Sequence, residues 1–141
     1  MCGILGFLSH RDVGIPSYEV LKAMRDTLVH RGPDDSGEFI RPLDERGPFV
    51  FFGHRRLSII DLASGHQPLS NENETIWVVF NGEIYNFLEL RSRLEALKHQ
   101  FRTNSDTEVI VHLIEEAYGK RKDLLSAIQD VLPQLKGSYA L

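Results

Sequence analysis

The sequence predicts an α+β fold built from packed layers of sheet and helix. Short apolar runs bounded by turn residues, which are typical of strands, occur towards both ends of the 141 residues. Helical patterns with recognisable start signals lie mainly between residues 86 and 132. Strands followed by helices and a last strand favour layers of sheet and helix that share a core. The length suffices for one domain at most.

The first elements are a strand and a helix. Residues 4–8 form a short apolar run, which predicts a buried strand. A helical pattern follows Pro16-Ser17, and Gly32-Pro33 marks its end, because glycine and proline commonly follow the last helical turn. The apolar face of this predicted helix consists of Val20, Leu21, Met24 and Leu28.

The central region predicts strands separated by polar connections. Residues 37–40 and 49–52 indicate a strand pair, and residues 56–60 indicate a further strand. Residues 61–75 are rich in Ser, Asn and Gly and predict a long surface loop, a kind of segment that is often functional. Residues 76–80 predict another strand, which Asn81-Gly82 would close.

Capping signals predict helices in the last third of the sequence. Asn86 with Glu89, and Ser105 with Glu108, each resemble a capping box ahead of an apolar face. Gly119 marks the end of the second of these helices. A third helical pattern spans residues 123–132, and residues 137–141 begin a strand. Because the sequence stops within that apolar strand, we expect a fragment of a longer domain.

Composition and charge argue against several classes of function. The net charge of −4 and the lack of a basic face argue against nucleic-acid binding. No apolar run approaches the ~20 residues that span a bilayer, and no signal-peptide pattern is present, so we expect no membrane partner. A single cysteine suits a reducing cytoplasm. The six histidines show no metal-ligand spacing with each other or with Cys2, so we predict no metal site.

The best candidate for a catalytic residue is Cys2, the only cysteine. Removal of Met1 would give Cys2 a free α-amino group with a pKa near ~7.7–8.0, beside a thiol with a pKa near ~8.5. One residue would then supply both a nucleophile and a base. The Asn81 amide and the Gly82 N–H could stabilise an oxyanion, although Asn-Gly is also the commonest short turn.

Three charged side chains could hold an amino-acid substrate. Arg56 could bind a carboxylate through its guanidinium fork, and Glu83 and Asp106 could bind an ammonium group. Each has an alternative role as a surface ion or a helix cap, and Asp106 would lie near a helix N-terminus in either case. The polar segment of residues 30–37 is either a lid or a helix-to-strand connection.

Together these motifs resemble the N-terminal glutaminase domain of the class II glutamine amidotransferases. The resemblance covers essentially the whole chain in the family's order: Met1-Cys2-Gly3-Ile4, residues 30–37, 53–61 and 65–69, Asn81 to Asn86, and residues 105–108. Within the class, the HRGPD, RRLSIIDL, GHQPL and NGEIYN segments are most similar to asparagine synthetases. Residues 123–141 are more similar to amidophosphoribosyltransferases or hexosamine-forming amidotransferases, so the acceptor of the ammonia stays open.

The resemblance implies a fold and a reaction. The fold is the four-layer αββα arrangement of N-terminal-nucleophile hydrolases, truncated here at residue 141. Cys2 would attack the side-chain amide of glutamine, form a γ-glutamyl thioester and release ammonia. Asn81 and Gly82 would stabilise the oxyanion. The implied substrate-binding residues are Arg56, Glu83, Asp106 and Arg31, the last lying in a covering loop.

The resemblance also implies partners. These are glutamine and an ammonia-accepting synthetase domain, which is absent from residues 1–141; a homodimer is left open. No cofactor is expected in this domain, since ATP and magnesium belong to the synthetase domain. The alternative from another class is a truncated, non-catalytic glutaminase-like module that only packs against a synthetase.

Overall fold

The structure mixes helices with antiparallel strands, which confirms the predicted α+β class. The computed structural model describes residues 2–9, 14–42, 48–57 and 65–141. In chain order the elements are β1 Gly3–Ser9, α1 Tyr18–Asp26, β2 Asp35–Pro42, β3 Phe49–Arg56, β4 Leu69–Ser70, β5 Trp77–Val78, β6 Asn81–Ile84, α2 Phe87–Ala96, α3 Glu108–Arg121, α4 Leu124–Val131, a 3-10 turn at Leu132–Gln134, and β7 Gly137–Ala140. None of these helices is long and apolar enough to cross a bilayer.

The first half forms an antiparallel sheet in the order β1-β3-β2. The predicted first strand and the predicted strand pair are therefore confirmed. The predicted separate strand over residues 56–60 is wrong at its start, because Arg56 is the last residue of β3; residues 58–60 lie outside the described ranges. Gly3 pairs with Arg55, so the next position of this register sets Cys2 opposite Arg56.

Helix α1 packs on this sheet through one apolar and one charged residue. Leu21 is fully buried against the sheet, whereas Val20 and Met24 of the predicted apolar face are exposed. Arg25 replaces them on the buried side, because its guanidinium is neutralised by Glu38 at 2.7 Å and by the adjacent aspartate. The helix ends at Asp26, ahead of the predicted stop at Gly32-Pro33.

Two strand pairs and three helices form the second half around a larger core. β4 pairs with β5, and β6 pairs with β7, both antiparallel. Residues 108–114, the first two turns of α3, are all buried, so this helix passes through the core. The core consists mainly of Phe80, Ile84, Leu90, Leu94, Val109, Ile110, Leu113 and Val131. β4 lies within the predicted 61–75 loop, of which residues 61–64 are outside the described ranges.

The helices occur where the sequence predicts them, but the predicted capping boxes are wrong. Asn86 bonds the backbone of Gln134 and Lys136 at 3.0 Å each, which ties the start of α2 to the segment before β7. Glu108 accepts hydrogen bonds from the backbone N–H groups of Arg102 and Thr103. Asn86 thus bonds a segment distant in the sequence, and Glu108 bonds the backbone five and six residues before it, so neither capping box forms.

Helix α3 ends next to the start of helix α4. Helix α3 continues through Gly119, the predicted stop, to Arg121, and Lys122 then takes the left-handed conformation at φ 57°. Asp123 caps α4 by accepting a hydrogen bond from the Ser126 N–H at 2.8 Å, which confirms the predicted third helix. The predicted last strand is confirmed as β7.

Candidate active site

The predicted catalytic and substrate-binding residues converge on one pocket. Its volume is about 300 Å³, and its wall comes from the N-terminus, the end of β3, the β6–β7 pair and the start of α3. The wall includes six of the predicted site residues: Cys2, Arg56, Asn81, Gly82, Glu83 and Asp106. The wall thus holds one guanidinium, which can bind a carboxylate, and two carboxylates, which can bind an ammonium group; an α-amino acid carries both of these groups.

Cys2 is half-buried and is held on both sides. Its sulfur lies 3.4 Å from the Leu57 nitrogen, which donates to it, and 3.7 Å from the Leu57 carbonyl oxygen. Its own carbonyl oxygen accepts a hydrogen bond from Arg31 Nε at 3.1 Å. These contacts fix the backbone and the sulfur of Cys2 at the edge of the pocket.

Arg31 lies outside the pocket wall. Its hydrogen bond to the Cys2 carbonyl connects the turn after α1 to the N-terminal strand. Sequence analysis predicts a substrate-binding role for this side chain, and the hydrogen bond seen in the structure is to the backbone of Cys2. Arg31 is therefore placed to position Cys2.

Arg56 is buried at the end of β3, next to an acidic residue of β2. Asp35 pairs with Arg56 in the β2–β3 register and accepts hydrogen bonds from His66 and from the Ser36 N–H, both at 2.7 Å. Burial raises the pKa of Asp35, but these bonds and the Arg56 charge outweigh burial, so the pKa lies below its ordinary value. Asp35 is thus ionised near the guanidinium at neutral pH.

Asn81 and Gly82 form the start of strand β6, so their interpretation as a turn is wrong. The Tyr85 N–H donates to the Lys136 carbonyl, which makes these two residues a hydrogen-bonded pair of the antiparallel ladder. Hydrogen-bonded pairs alternate along such a ladder, so the N–H groups of Gly82 and Ile84 point away from β7. The Gly82 N–H is therefore outside the β6–β7 ladder and is available on the other edge of the strand.

Asp106 joins that other edge of β6 to the start of α3. Its Oδ2 atom accepts a hydrogen bond from the Ile84 N–H at 2.8 Å, and its side chain is buried. Because the N–H groups of Ile84 and Gly82 point to the same edge, the Gly82 N–H faces the side from which Asp106 approaches. Thr107 is the residue that precedes the helix, so the alternative of Asp106 as its cap is wrong.

Gln67 also lines the pocket and was missed as a site residue. Its Oε1 atom accepts a hydrogen bond from the Phe80 N–H at 2.7 Å, and its Nε2 atom lies 3.4 Å from Thr107 Oγ1. The buried Gln67 amide thus connects the strand before Asn81 to the start of α3. The signal was the Gly-His-Gln-Pro-Leu segment of residues 65–69, which sequence reasoning used only as part of a resemblance.

Comparison with known proteins identifies the family of this chain. The family model described as "Glutamine amidotransferase domain" matches residues 1–141. The chain is 46% identical over 132 residues to "Asparagine synthetase [glutamine-hydrolyzing] 1" of Bacillus subtilis, covering 89% of the chain and 20% of the relative. It is 47% identical over 128 residues to the Arabidopsis thaliana protein of that name, covering 91% of the chain and 20% of the relative.

A third relative extends the comparison. "Asparagine synthetase [glutamine-hydrolyzing]" of Sandersonia aurantiaca is 50% identical over 116 residues, covering 82% of the chain and 21% of the relative. The chain thus spans about a fifth of the length of these curated relatives. The family model covers every residue, and the motifs that carry the resemblance meet in one pocket. The chain therefore belongs to the glutamine amidotransferase domain family.

Proposed function

We propose that this chain hydrolyses the side-chain amide of glutamine and supplies the ammonia for asparagine synthesis. The observation that carries the proposal is the pocket in which the only thiol of the chain, two oxyanion donors and three charged substrate groups meet. The three relatives named above support the acceptor, because each is called a glutamine-hydrolysing asparagine synthetase.

The nucleophile would be the Cys2 thiol, activated by its own α-amine once Met1 is removed. The amine takes the thiol proton, and the sulfur attacks the amide carbon of glutamine. The N–H of Leu57, which already donates to this sulfur at 3.4 Å, stabilises the developing thiolate. The proton held on the α-ammonium then passes to the departing nitrogen, so that ammonia leaves and a γ-glutamyl thioester remains.

The oxyanion of each tetrahedral intermediate would be stabilised by two donors on β6. One is the Asn81 side-chain amide, and the other is the Gly82 N–H, which the β6–β7 ladder does not use. Water then attacks the thioester, the Cys2 amine takes one of its protons, and glutamate leaves with the thiol restored. No cofactor enters these steps.

The substrate head group would be held by charges of opposite sign. Arg56 binds the α-carboxylate, and Glu83 and Asp106 bind the α-ammonium. Asp106 accepts the Ile84 N–H through Oδ2, and its Oδ1 atom, which lies 3.5 Å from the Ser105 and Thr107 hydroxyl groups, would bind the substrate. Arg31 contributes by holding the Cys2 carbonyl.

We further propose the setting in which this chemistry takes place. The complete domain would have the four-layer αββα fold of N-terminal-nucleophile hydrolases, in which the three small antiparallel sheets described here become parts of two larger ones. It would be fused to a cytoplasmic synthetase domain that binds ATP and magnesium. The greater length of the relatives supports this fusion.

The glutaminase step is tested by the Cys2→Ala variant. This change removes the sulfur but keeps the small side chain, so we expect glutamate release to fall to the detection limit while circular dichroism stays unchanged. The matched control is Ser126→Ala, which lies in α4 and outside the pocket wall. Unchanged glutamate release by Cys2→Ala would refute the mechanism. A wild-type chain that folds but releases no glutamate would favour the non-catalytic module.

The asparagine assignment is tested by a chimera. This chain replaces the matching region of the Bacillus subtilis relative, and amide-labelled glutamine is supplied with aspartate and ATP. We expect asparagine labelled on its side-chain amide, and with Cys2→Ala we expect asparagine only when free ammonia is added. A chimera that hydrolyses glutamine and uses free ammonia but leaves asparagine unlabelled would contradict this acceptor.

A further inference from the structure

Two histidines and two glutamates form a partly buried cluster away from the pocket wall. Glu72 lies in the turn between β4 and β5, His99 lies after α2, and His112 and Glu115 lie one turn apart on α3. One ligand-type atom from each residue lies within 4.8 Å of the other three. The sequence offers no familiar spacing for this set, because its members come from three separate elements.

The distances within the cluster fit a common central ion. His99 Nδ1 lies 3.6 Å from Glu72 Oε1 and 3.4 Å from Glu115 Oε2. His112 Nδ1 lies 3.1 Å from Glu72 Oε2 and 3.9 Å from Glu115 Oε2. Ligands at ~2.0–2.1 Å from a tetrahedral zinc ion are about 3.4 Å from one another.

Several polar atoms of the cluster lack hydrogen bonds. Among the described residues, six buried side-chain nitrogen or oxygen atoms have no hydrogen-bond partner of acceptable geometry. Five of the six belong to this cluster: Glu72 Oε2, His99 Nδ1, His112 Nδ1, His112 Nε2 and Glu115 Oε2. His112 Nε2 faces Glu108, so four of these atoms can point to a common centre. Leaving a buried polar atom unsatisfied is costly, and four in one place call for a ligand.

The outward nitrogens of both imidazoles face carboxylates. His99 Nε2 lies 3.1 Å from Glu116 Oε1, and His112 Nε2 lies 3.6 Å from Glu108 Oε1. A proton on Nε2, directed towards each carboxylate, leaves the Nδ1 lone pair pointing into the cluster. Such a carboxylate behind each imidazole is the usual outer shell of a metal-binding histidine. Glu108 is itself fixed by the backbone N–H groups of Arg102 and Thr103.

We propose that Glu72, His99, His112 and Glu115 bind one Zn²⁺ ion in a closed, structural site. Imidazole nitrogen and carboxylate oxygen are both zinc ligands, whereas magnesium and calcium prefer oxygen alone. Four protein ligands leave no position for water or substrate, so the site stabilises and takes no part in catalysis.

The ion would join three elements of the second half. It fastens the β4–β5 turn and the segment after α2 onto α3, whose first residues follow Asp106 and Thr107 of the pocket. The ligands share no residue with the pocket wall, so zinc binding stands or falls independently of glutamine hydrolysis.

The test measures zinc bound by the full chain. The chain is stripped with a chelator, dialysed against micromolar zinc chloride and analysed for metal by mass spectrometry. We expect one zinc per chain, and a melting temperature raised by roughly 10 °C when free zinc is one hundred times the dissociation constant. Cobalt chloride, as a second probe, should give the visible absorption of tetrahedral Co²⁺.

Three variants assign the zinc to the cluster. Glu115→Gln keeps the shape of a partly exposed side chain, and it should weaken zinc binding at least about tenfold. His99→Gln should do the same. Glu89→Gln, an exposed control on α2, and Cys2→Ala should both retain one zinc per chain.

Two outcomes would overturn the site. The first is a folded chain that binds no zinc under these conditions, which would mean that the four side chains contact one another without a metal. The second is zinc that is lost with Cys2→Ala but kept by both cluster variants, which would place the ion at the thiol instead.

Discussion

At the scale of single residues, Arg56 shows how burial prepares a charged side chain for binding. It is only 7% exposed at the end of β3, next to the ionised Asp35 and opposite the backbone of Cys2. A buried guanidinium is costly unless anions compensate it, and a substrate carboxylate would provide a second anion. The same register therefore positions the proposed nucleophile, Cys2, beside the proposed carboxylate-binding group, Arg56.

Replacement of Arg56 by lysine should weaken glutamine binding. Lysine keeps the charge but loses the guanidinium fork, so we expect KM for glutamine to rise roughly 10- to 100-fold with a much smaller change in kcat. Steady-state kinetics with glutamine measure both constants. The control is Arg41→Lys at the exposed end of β2, which should leave KM unchanged. An unaltered KM for Arg56→Lys would mean that the residue only supports the sheet.

The sequence points to candidate reacting residues, but it does not point to the residues that support them. Cys2, Asn81 and Asp106 are recognisable because their chemistry is a property of the residue type. Gln67 was missed because its role depends on bonds to Phe80 and Thr107, which are distant in the sequence. Sequence analysis assigned Arg31 to the substrate, and its observed bond to the Cys2 carbonyl likewise depends on tertiary placement.

At the scale of elements, strand β6 carries the two proposed oxyanion donors and is held from both edges. β7 pairs with one edge, and Asp106 accepts the Ile84 N–H on the other. Gly82 lies against β7, because a Cβ atom there would overlap the Ser138 carbonyl and Tyr139. The donors are therefore positioned by packing that only glycine permits.

A pair of glycine-to-alanine variants tests this packing. Gly82→Ala should lower the free energy of unfolding by about 1–3 kcal/mol and reduce kcat, because β6 must shift away from β7. Gly119→Ala should raise it by about 0.5–1 kcal/mol, since that site in α3 has open space and alanine favours helix. Denaturant unfolding measures both changes. Equal stabilities for the two variants would show that the β6–β7 contact is loose.

The helices were predictable as elements because their apolar faces are local patterns. Their capping boxes were not, since Asn86 and Glu108 find backbone partners elsewhere in the fold. The end of α3 was misplaced at Gly119 because an exposed glycine is tolerated inside a helix whose other face is buried. Local signals thus locate elements, and tertiary contacts decide their ends.

At the scale of the whole molecule, His54 connects the two halves. It lies on β3 of the first sheet with 1% exposure, and its ring hydrogen-bonds to the backbone of Phe80 in the core of the second half. Burial lowers the pKa of His54 from 6.5 to about 4. The imidazole is therefore neutral in the folded chain at physiological pH.

This burial predicts loss of stability in mild acid. Between pH about 6.5 and about 4 the unfolded state binds a proton at His54 and the folded state does not, so stability falls as the pH decreases. The full shift corresponds to roughly 3 kcal/mol. Denaturant unfolding across this range should show a shallower pH dependence for His54→Gln than for the wild type. His30→Gln, an exposed control, should keep the wild-type slope, and equal slopes for all three would contradict the assignment.

The central claim is that Cys2 is a processed nucleophile in a working glutamine pocket, and an intact mass tests it most directly. The intact mass of the purified chain is measured by mass spectrometry before and after exposure to 6-diazo-5-oxo-norleucine, an electrophilic glutamine analogue. We expect loss of the Met1 mass before exposure and one adduct afterwards, located on Cys2 and absent from Cys2→Ala. A chain that has lost Met1, remains folded and gains no adduct would contradict the claim.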